Sequence, residues 1–294
     1  MKEDEFSRNF DRIILVDKPA GISSFATVSR IRWQLTEENF AKKSEQWEKM
    51  DKLSRKGLAE PTRKNSRIKV GHAGTLDPFA TGLLIILTGK NTKKSGEFLL
   101  HDKTYFAKFV FGATSTTGDP EGEITPKVFA KNDEFFDAKT GKFSRKIPTR
   151  MEIESLISRK FLGEITQIPP LFSAIKMDGK KAYEVSRKSE NGKIDNADFA
   201  KFAEKFREEK ARKITVFDWK ILDYKEEKIA GFSRKFPVLT SRIHVSSGTY
   251  IRSLAEDLGR ELGTGAFCSE LRREKIAKWD VKDATIEQEF FVKK

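Results

Sequence analysis

Apolar residues along this chain fall into short bounded runs, and their spacing sets a first map of its elements. Ile13–Val16 reads as a short buried strand, and the unbroken Leu83-Leu84-Ile85-Ile86-Leu87-Thr88 as a strand covered on both faces. Ser23 or Ser24 is placed to cap a helix through about Leu35, with Val28, Ile31 and Leu35 on one face. Asn91–Leu100 predicts a helix and Thr104–Phe111 a strand with aromatics on both faces. Met151, Ile153, Leu156, Ile157 and Phe161 recur at helical spacing, so Met151–Leu162 is a helix. Another helix begins over Ala182–Arg187, and Thr249–Leu262 forms one entered directly from the Ser-Ser-Gly turn before it. Ile214–Leu222 and Val238–Val245 alternate as strands, Gly118-Asp-Pro-Glu-Gly122 is a turn cluster, and the Lys- and Asp-rich residues 128–148 read as a loop. There is no internal repeat. Strands and helices mix without regular βαβ alternation, which predicts an α+β fold.

Two polar stretches interrupt this map, at about residues 37–67 and 188–212. Phe40, Trp47, Met50 and Leu53 recur at roughly helical spacing, so part of the first stretch can be an amphipathic helix. Between Ala41 and Lys69 it carries ten basic residues against four acids. A solvated face is the default for such a run, and an arm that touches RNA is the alternative.

Composition narrows the classes. Hydrophobic residues make up 37% of 294, with 24 Phe, enough for a sizeable core in one large domain or two modest ones. No apolar run approaches the ~18 residues of a membrane-spanning helix. The opening MKEDEFSRNFDR is too charged for a signal peptide, and the single cysteine, Cys268, fits a reducing, cytoplasmic compartment and a small packing role. Net charge is +13, from 57 Lys plus Arg against 44 acids, which favours polyanionic partners, RNA ahead of membrane.

The densest chemical signal is Gly71–Leu84, GHAGTLDPFATGLL. It holds one carboxylate, Asp77, among glycine, threonine and proline, immediately before the apolar strand. Glycines allow unusual dihedrals and close approach, while Pro78 fixes its own φ and holds Asp77 extended. Such a segment presents an acid on a fixed, irregular backbone at the lip of a rigid strand. The bland alternative is a tight turn in which Asp77 caps local amides.

This segment resembles the signature of the TruB family of tRNA pseudouridine synthases, GH-x-G-x-LDP-x-ATG, whose aspartate is the catalytic nucleophile; Asp77 falls on it. Further matches follow in order: LVDKPAGISS at Leu15–Ser24, Lys103-Thr104-Tyr105, IPPLFSAIKMDGKKAYEVSR at Ile168–Arg187, SSGTYIRSLAEDLG at Ser246–Gly259 and GTGAFCSELRR at Gly263–Arg273. They reach from about residue 12 to about residue 280. The resemblance implies the pseudouridine synthase fold, a mixed and largely antiparallel sheet with a cleft across it. It implies a catalytic domain over 1–280 with the two charged insertions, and a short tail over 281–294 without the PUA-like extension common in the family.

By the same resemblance, Arg252 pairs with the nucleophile and keeps it ionised, and Tyr105 stacks on the target base and assists proton removal at C5. His72 contacts RNA and holds the extruded nucleotide. Tyr250 packs against the base pocket, Leu271 forms its apolar wall, and Lys18 with Pro19 supports the catalytic loop. The implied substrate is uridine 55 in the TΨC loop of tRNA, in the T-arm, flipped out of its stack. The implied agent is a monomer without an obligate protein partner. Attack on the base and attack on the sugar carbon both remain open.

No cofactor is implied. The three histidines and the one cysteine lack metal-ligand spacing, and Gly89-Lys90-Asn91 lacks the P-loop pattern. Two other readings compete: a guide-RNA-dependent synthase of the same family, and a binding-only tRNA folding chaperone. The Asp77, Tyr105 and Arg252 set argues against pure binding.

Overall fold

The computed structural model describes residues 10–129, 134–137, 142–190 and 194–286. Its contacts divide the chain into two compact units, one formed by residues 1–101 and 273–294, the other by 102–272.

In the first unit, strand β1 (Ile13–Lys18) runs antiparallel to β3 (Thr81–Thr88), with Val16 opposite Leu84. The short β2 (Val70–His72) lines the other edge of β3, Gly71 opposite Leu87. A parallel pairing of Val16 and Asp17 with Thr285 and Ile286 makes this sheet mixed. The apolar run of β3 is fully buried because both faces are covered. Leu84 and Ile86 join Val28, Ile31 and Leu35 of the long helix α1 (Ser24–Lys49), while Leu83, Ile85 and Leu87 meet Phe98 and Ile276 on the other side.

Helix α1 is capped by the Ser23 hydroxyl, which accepts from the Ala26 amide. It runs well past Leu35, the expected end, because no glycine or proline intervenes before Gly57 and because Lys42–Glu38 and Lys49–Glu45 pairs support its second half. The helical spacing of Phe40 and Trp47 is therefore the continuation of α1, whereas Met50 is its C-cap and Leu53 lies beyond it. Segment 89–100 is a 3₁₀ turn (Gly89–Lys94) followed by a short helix (Ser95–Leu99), in place of one continuous helix.

The second unit is built on antiparallel strands in the order β5 (Gly163–Gln167), β6 (Arg212–Lys228), β7 (Lys235–Val245), β4 (Lys103–Phe111). Trp219, Phe109 and Phe161 meet edge to face in its core. Helix Arg150–Lys160 starts at a full capping box between Thr149 and Glu152. Helix α2 (Ile251–Glu261) buries Leu254, Ala255 and Leu258. Strand β8 (Ala266–Ile276) crosses from this unit into the first at Arg273.

Residues 128–148 are not a loop. Val128–Phe129, Glu134–Asp137 and Lys142–Lys146 form a three-stranded antiparallel sheet, with 130–133 and 138–141 outside the described residues. The four phenylalanines at 129, 135, 136 and 143 outweigh the charged composition as a local preference. The second polar stretch contains a helix, Asn196–Lys210, capped by Asp195; residues 191–193 lie outside the described residues.

Candidate active site

Asp77 sits half-buried in the connection between β2 and β3. Three buried side chains, Lys18 and Ser24 from one segment and Arg273 from another far along the chain, fix the peptide groups around it. On one side, the Ser24 hydroxyl accepts from the Leu76 amide at 2.8 Å and donates to the Leu76 carbonyl at 2.9 Å. On the other, the Pro78 carbonyl accepts from the Gly21 amide at 2.9 Å and from Lys18 Nζ at 3.2 Å. Lys18 is fully buried, and its ammonium also donates to the carbonyls of Pro19 and Ile22, each at 2.8 Å. The turn closes with the Ala80 amide donating to the Asp77 carbonyl.

The third clamp is Arg273. Its guanidinium donates to the carbonyls of Leu83 (2.8 Å), Gly74 (3.1 Å) and Thr75 (3.3 Å). Gly82 makes that approach possible: its φ is +104°, and a Cβ there would overlap the Arg273 backbone. The carboxylate-bearing loop is thus irregular but over-determined, as a preorganised group requires. Lys18, expected with Pro19 to support this loop, contacts it through the Pro78 carbonyl. Ser24 and Arg273 do the same work and were not foreseen. Their signal was present: Ser23 suffices as the helix cap, which leaves Ser24 without a stated task, and Arg273 ends the last matched segment.

His72, half-buried on β2, has a buried Nδ1 with no hydrogen-bond partner among the described residues. Burial first, and the charge of Arg273 second, push its pKa below the ordinary value, so the ring is neutral at pH 7.

In the second unit, Arg252 is buried in the first turn of α2. It donates to the Thr117 carbonyl at 2.7 Å and the Phe172 carbonyl at 2.9 Å, and lies 3.1 Å from the Asp119 carboxylate. Asp119 is itself buried in the Gly118–Gly122 turn cluster, where it accepts from the Thr117 hydroxyl (2.6 Å) and the Glu121 amide (3.0 Å). This carboxylate partner was not singled out from the sequence. The fully buried Gln167 straps the start of α2 by exchanging two hydrogen bonds with the Tyr250 backbone, at 2.8 and 3.0 Å. The half-buried Tyr250 ring carries the Arg212 guanidinium over its face. Tyr105 is buried on β4 opposite Ile243, and Leu271 is buried on β8.

A cavity of about 850 Å³ opens within this unit beside Pro169, Phe172, Arg207 and Glu256. Burial raises Glu256 to about 7, with Arg252 opposing the shift, and raises Asp257 as well. Cys268 is buried, in keeping with a packing role. Among the described residues no cluster of His, Cys, Asp or Glu could hold a metal ion, and no helix is long and apolar enough to cross a membrane.

With this geometry in view, solved structures identify the fold. The crystal structure of a Cbf5-Nop10-Gar1 complex superposes on 95% of this chain and 52% of its own with a TM-score of 0.53 at 22% identity. The architecture is the pseudouridine synthase fold, an α+β arrangement. The model of the TruB family pseudouridylate synthase N-terminal domain matches residues 62–251. A protein of Endomicrobium trichonymphae named tRNA pseudouridine synthase B is 34% identical over 94% of this chain and 89% of its own length. A protein of the same name from Flavobacterium johnsoniae is 36% identical over 93% of this chain and 91% of its own. The chain belongs to the TruB family of pseudouridylate synthases, which are isomerases.

Proposed function

We propose that this enzyme converts uridine 55 in the T loop of tRNA to pseudouridine, with Asp77 as the nucleophile. Support for a tRNA substrate comes from relatives named tRNA pseudouridine synthase B that match nine-tenths of the chain. Support for Asp77 comes from the three-point clamp of Ser24, Lys18 and Arg273 on the peptide groups around it. A carboxylate that only capped a turn would not call for buried donors from two segments so far apart in the chain.

The net reaction breaks the C1′–N1 bond, forms a C5–C1′ bond, releases the C5 proton and places a proton on N1. Nothing is oxidised or reduced, so a carboxylate in a fixed frame is sufficient. Tyr105, Arg252, Tyr250 and Leu271 keep, within this proposal, the roles that the family resemblance implies for them. The neutral His72 suits a hydrogen bond to RNA rather than an ion pair.

Incubation of an unmodified tRNA transcript with the enzyme, followed by chemical mapping of pseudouridine, tests the proposal. Wild type yields product at one T-loop uridine; Asp77→Asn yields none while still binding the transcript. Turnover by Asp77→Asn removes the nucleophile assignment, and product elsewhere removes the assigned position.

A further inference from the structure

Helix α1 is 26 residues long, about 39 Å at 1.5 Å per residue, and begins at Ser24, the residue that clamps Leu76 beside Asp77. One of its faces has two distinct halves. Phe25, Ser29 and Trp33 lie within about 80° of arc near the start, and Phe40, Lys43 and Trp47 continue the same arc toward the end. The far half is covered by the returning segment. Arg55 lies over Trp47, Arg63 lies over Phe40, and Lys43 donates to the Asn65 carbonyl at 3.0 Å. That segment then descends the helix, its Ile68 amide meeting the Thr36 hydroxyl and its Val70 carbonyl accepting from Arg32.

The near half is open. Phe25 is 67% exposed and Trp33 is 65% exposed, an unusual use of two large aromatics. The charges are also sorted. Two of the three lysines on α1 are neutralised in Lys42–Glu38 and Lys49–Glu45 pairs, and Arg63 pairs with Glu37. By contrast, Lys52, Lys56, Lys64, Arg67 and Lys69 of the returning segment are exposed and form no ion pair among the described residues. They are not carried on a loose excursion. The buried Asn39 side chain donates to the carbonyl of the buried Ser66 at 2.7 Å and pins the segment to the helix.

We propose that this face of α1 is a second RNA-binding track. Phe25 and Trp33 stack on bases next to the target loop, and the returning segment holds phosphates of the tRNA duplex beyond the T-arm. The inference rests on the reading of folded RNA as the substrate. Aromatics and unpaired cations on one fixed surface are the combination that single-stranded bases followed by a phosphate backbone require.

The test measures binding and turnover of an unmodified tRNA transcript and of its isolated T-arm by Lys52/Lys56/Lys64/Arg67→Gln and by Phe25/Trp33→Ala. The charge variant is expected to bind the transcript about tenfold more weakly at 0.15 M salt and to lower the slope of log K against log salt by about 2–3. It should bind the isolated arm nearly as well as wild type does, and keep its rate at saturating RNA. The aromatic variant should weaken both RNAs, by about tenfold per stacked base. Unchanged affinity of both variants for the transcript at every salt concentration, with wild-type turnover intact, overturns the track and leaves the proposed reaction standing. Failure of wild type itself to bind or isomerise the transcript overturns the proposed reaction and the track with it.

Discussion

Two buried arginines, one in each unit, solve the same physical problem in opposite ways. Arg273 and Arg252 are 1% and 3% exposed, so each has lost nearly all of its hydration. Among the described residues Arg273 meets no carboxylate, and its donors end on the carbonyls of Gly74, Thr75 and Leu83. Arg252 binds two carbonyls and also faces the Asp119 carboxylate. Carbonyl dipoles satisfy hydrogen bonds but leave a net positive field, and that field reaches His72 and helps hold it neutral. Beside Arg252, burial outweighs the lowering effect of Arg252 on Glu256, Asp119 adds a weaker push upward, and that carboxyl rises to about 7. An arginine compensated by dipoles holds a loop and reinforces the shift that burial imposes on its neighbour; one that also faces a carboxylate opposes that shift and is partly offset.

Removing Arg273 should break this comparison most severely. Arg273→Met leaves three carbonyls without donors and frees the loop that carries Asp77. A misplacement near 1 Å can cost about 100-fold in rate. We expect kcat to fall by about that factor with RNA affinity nearly kept, and stability to fall by about 3–5 kcal/mol. The pKa of His72, followed by NMR titration, should move up toward its ordinary value as the nearby charge disappears. Arg273→Lys keeps the charge and should restore the His72 shift while recovering only part of the rate. If Arg273→Met retains the wild-type kcat, the clamp does not position the loop.

Much of this contrast was legible from sequence, but only to a point. The unbroken apolar run of β3 announced a strand covered on both faces, and the glycine- and proline-rich approach to it announced a fixed carboxylate. Local spacing could not show that Ser24 reaches Leu76 across 52 residues, or that Arg273 reaches Gly74 across 199. Those are side-chain-to-carbonyl bonds, and a carbonyl has no sequence identity to match. Asp119 was visible only as part of a turn, because Asp-Pro in a glycine cluster has an adequate local explanation. Composition misled at residues 128–148, where lysine density hid phenylalanines that pair as strands. The full length of α1 was hidden by the change from apolar to charged residues, although no helix breaker marks that change.

Asp119→Asn sharpens the comparison at the other arginine. Asparagine keeps the shape and most hydrogen bonds of the side chain and removes its charge. Arg252 would then keep its two carbonyls and lose the Asp119 carboxylate, a step toward the environment of Arg273. The expected loss is about 3 kcal/mol in urea unfolding, at the low end for breaking a buried pair. Glu256 should respond as well. Asp119 raises its pKa and Arg252 lowers it, so loss of the Asp119 charge should bring Glu256 down from about 7. A Glu256 that does not respond would mean that Asp119 offsets none of the effect of Arg252 there.

The smallest expected effect tests the same balance of burial and charge through pH alone. Glu256 has a folded-state pKa of about 7, above its ordinary 4.5, with burial as the largest cause. Between these values the folded protein holds a proton that the unfolded chain has released. The stability associated with that proton is therefore fully present below pH 4.5 and is lost as the pH rises through 7. Glu256→Gln carries no titrating group, so its unfolding free energy should lack this decline. The variant should match wild type near pH 5 and exceed it by about 1–3 kcal/mol at pH 8. Urea unfolding of both proteins at pH 5, 6, 7 and 8 measures the difference directly. Were wild type as stable at pH 8 as at pH 5, with no gain from glutamine, Glu256 would be ionised in the fold. The positive field of Arg252 would then extend beyond Asp119, and the two arginines would differ in partner but not in effect.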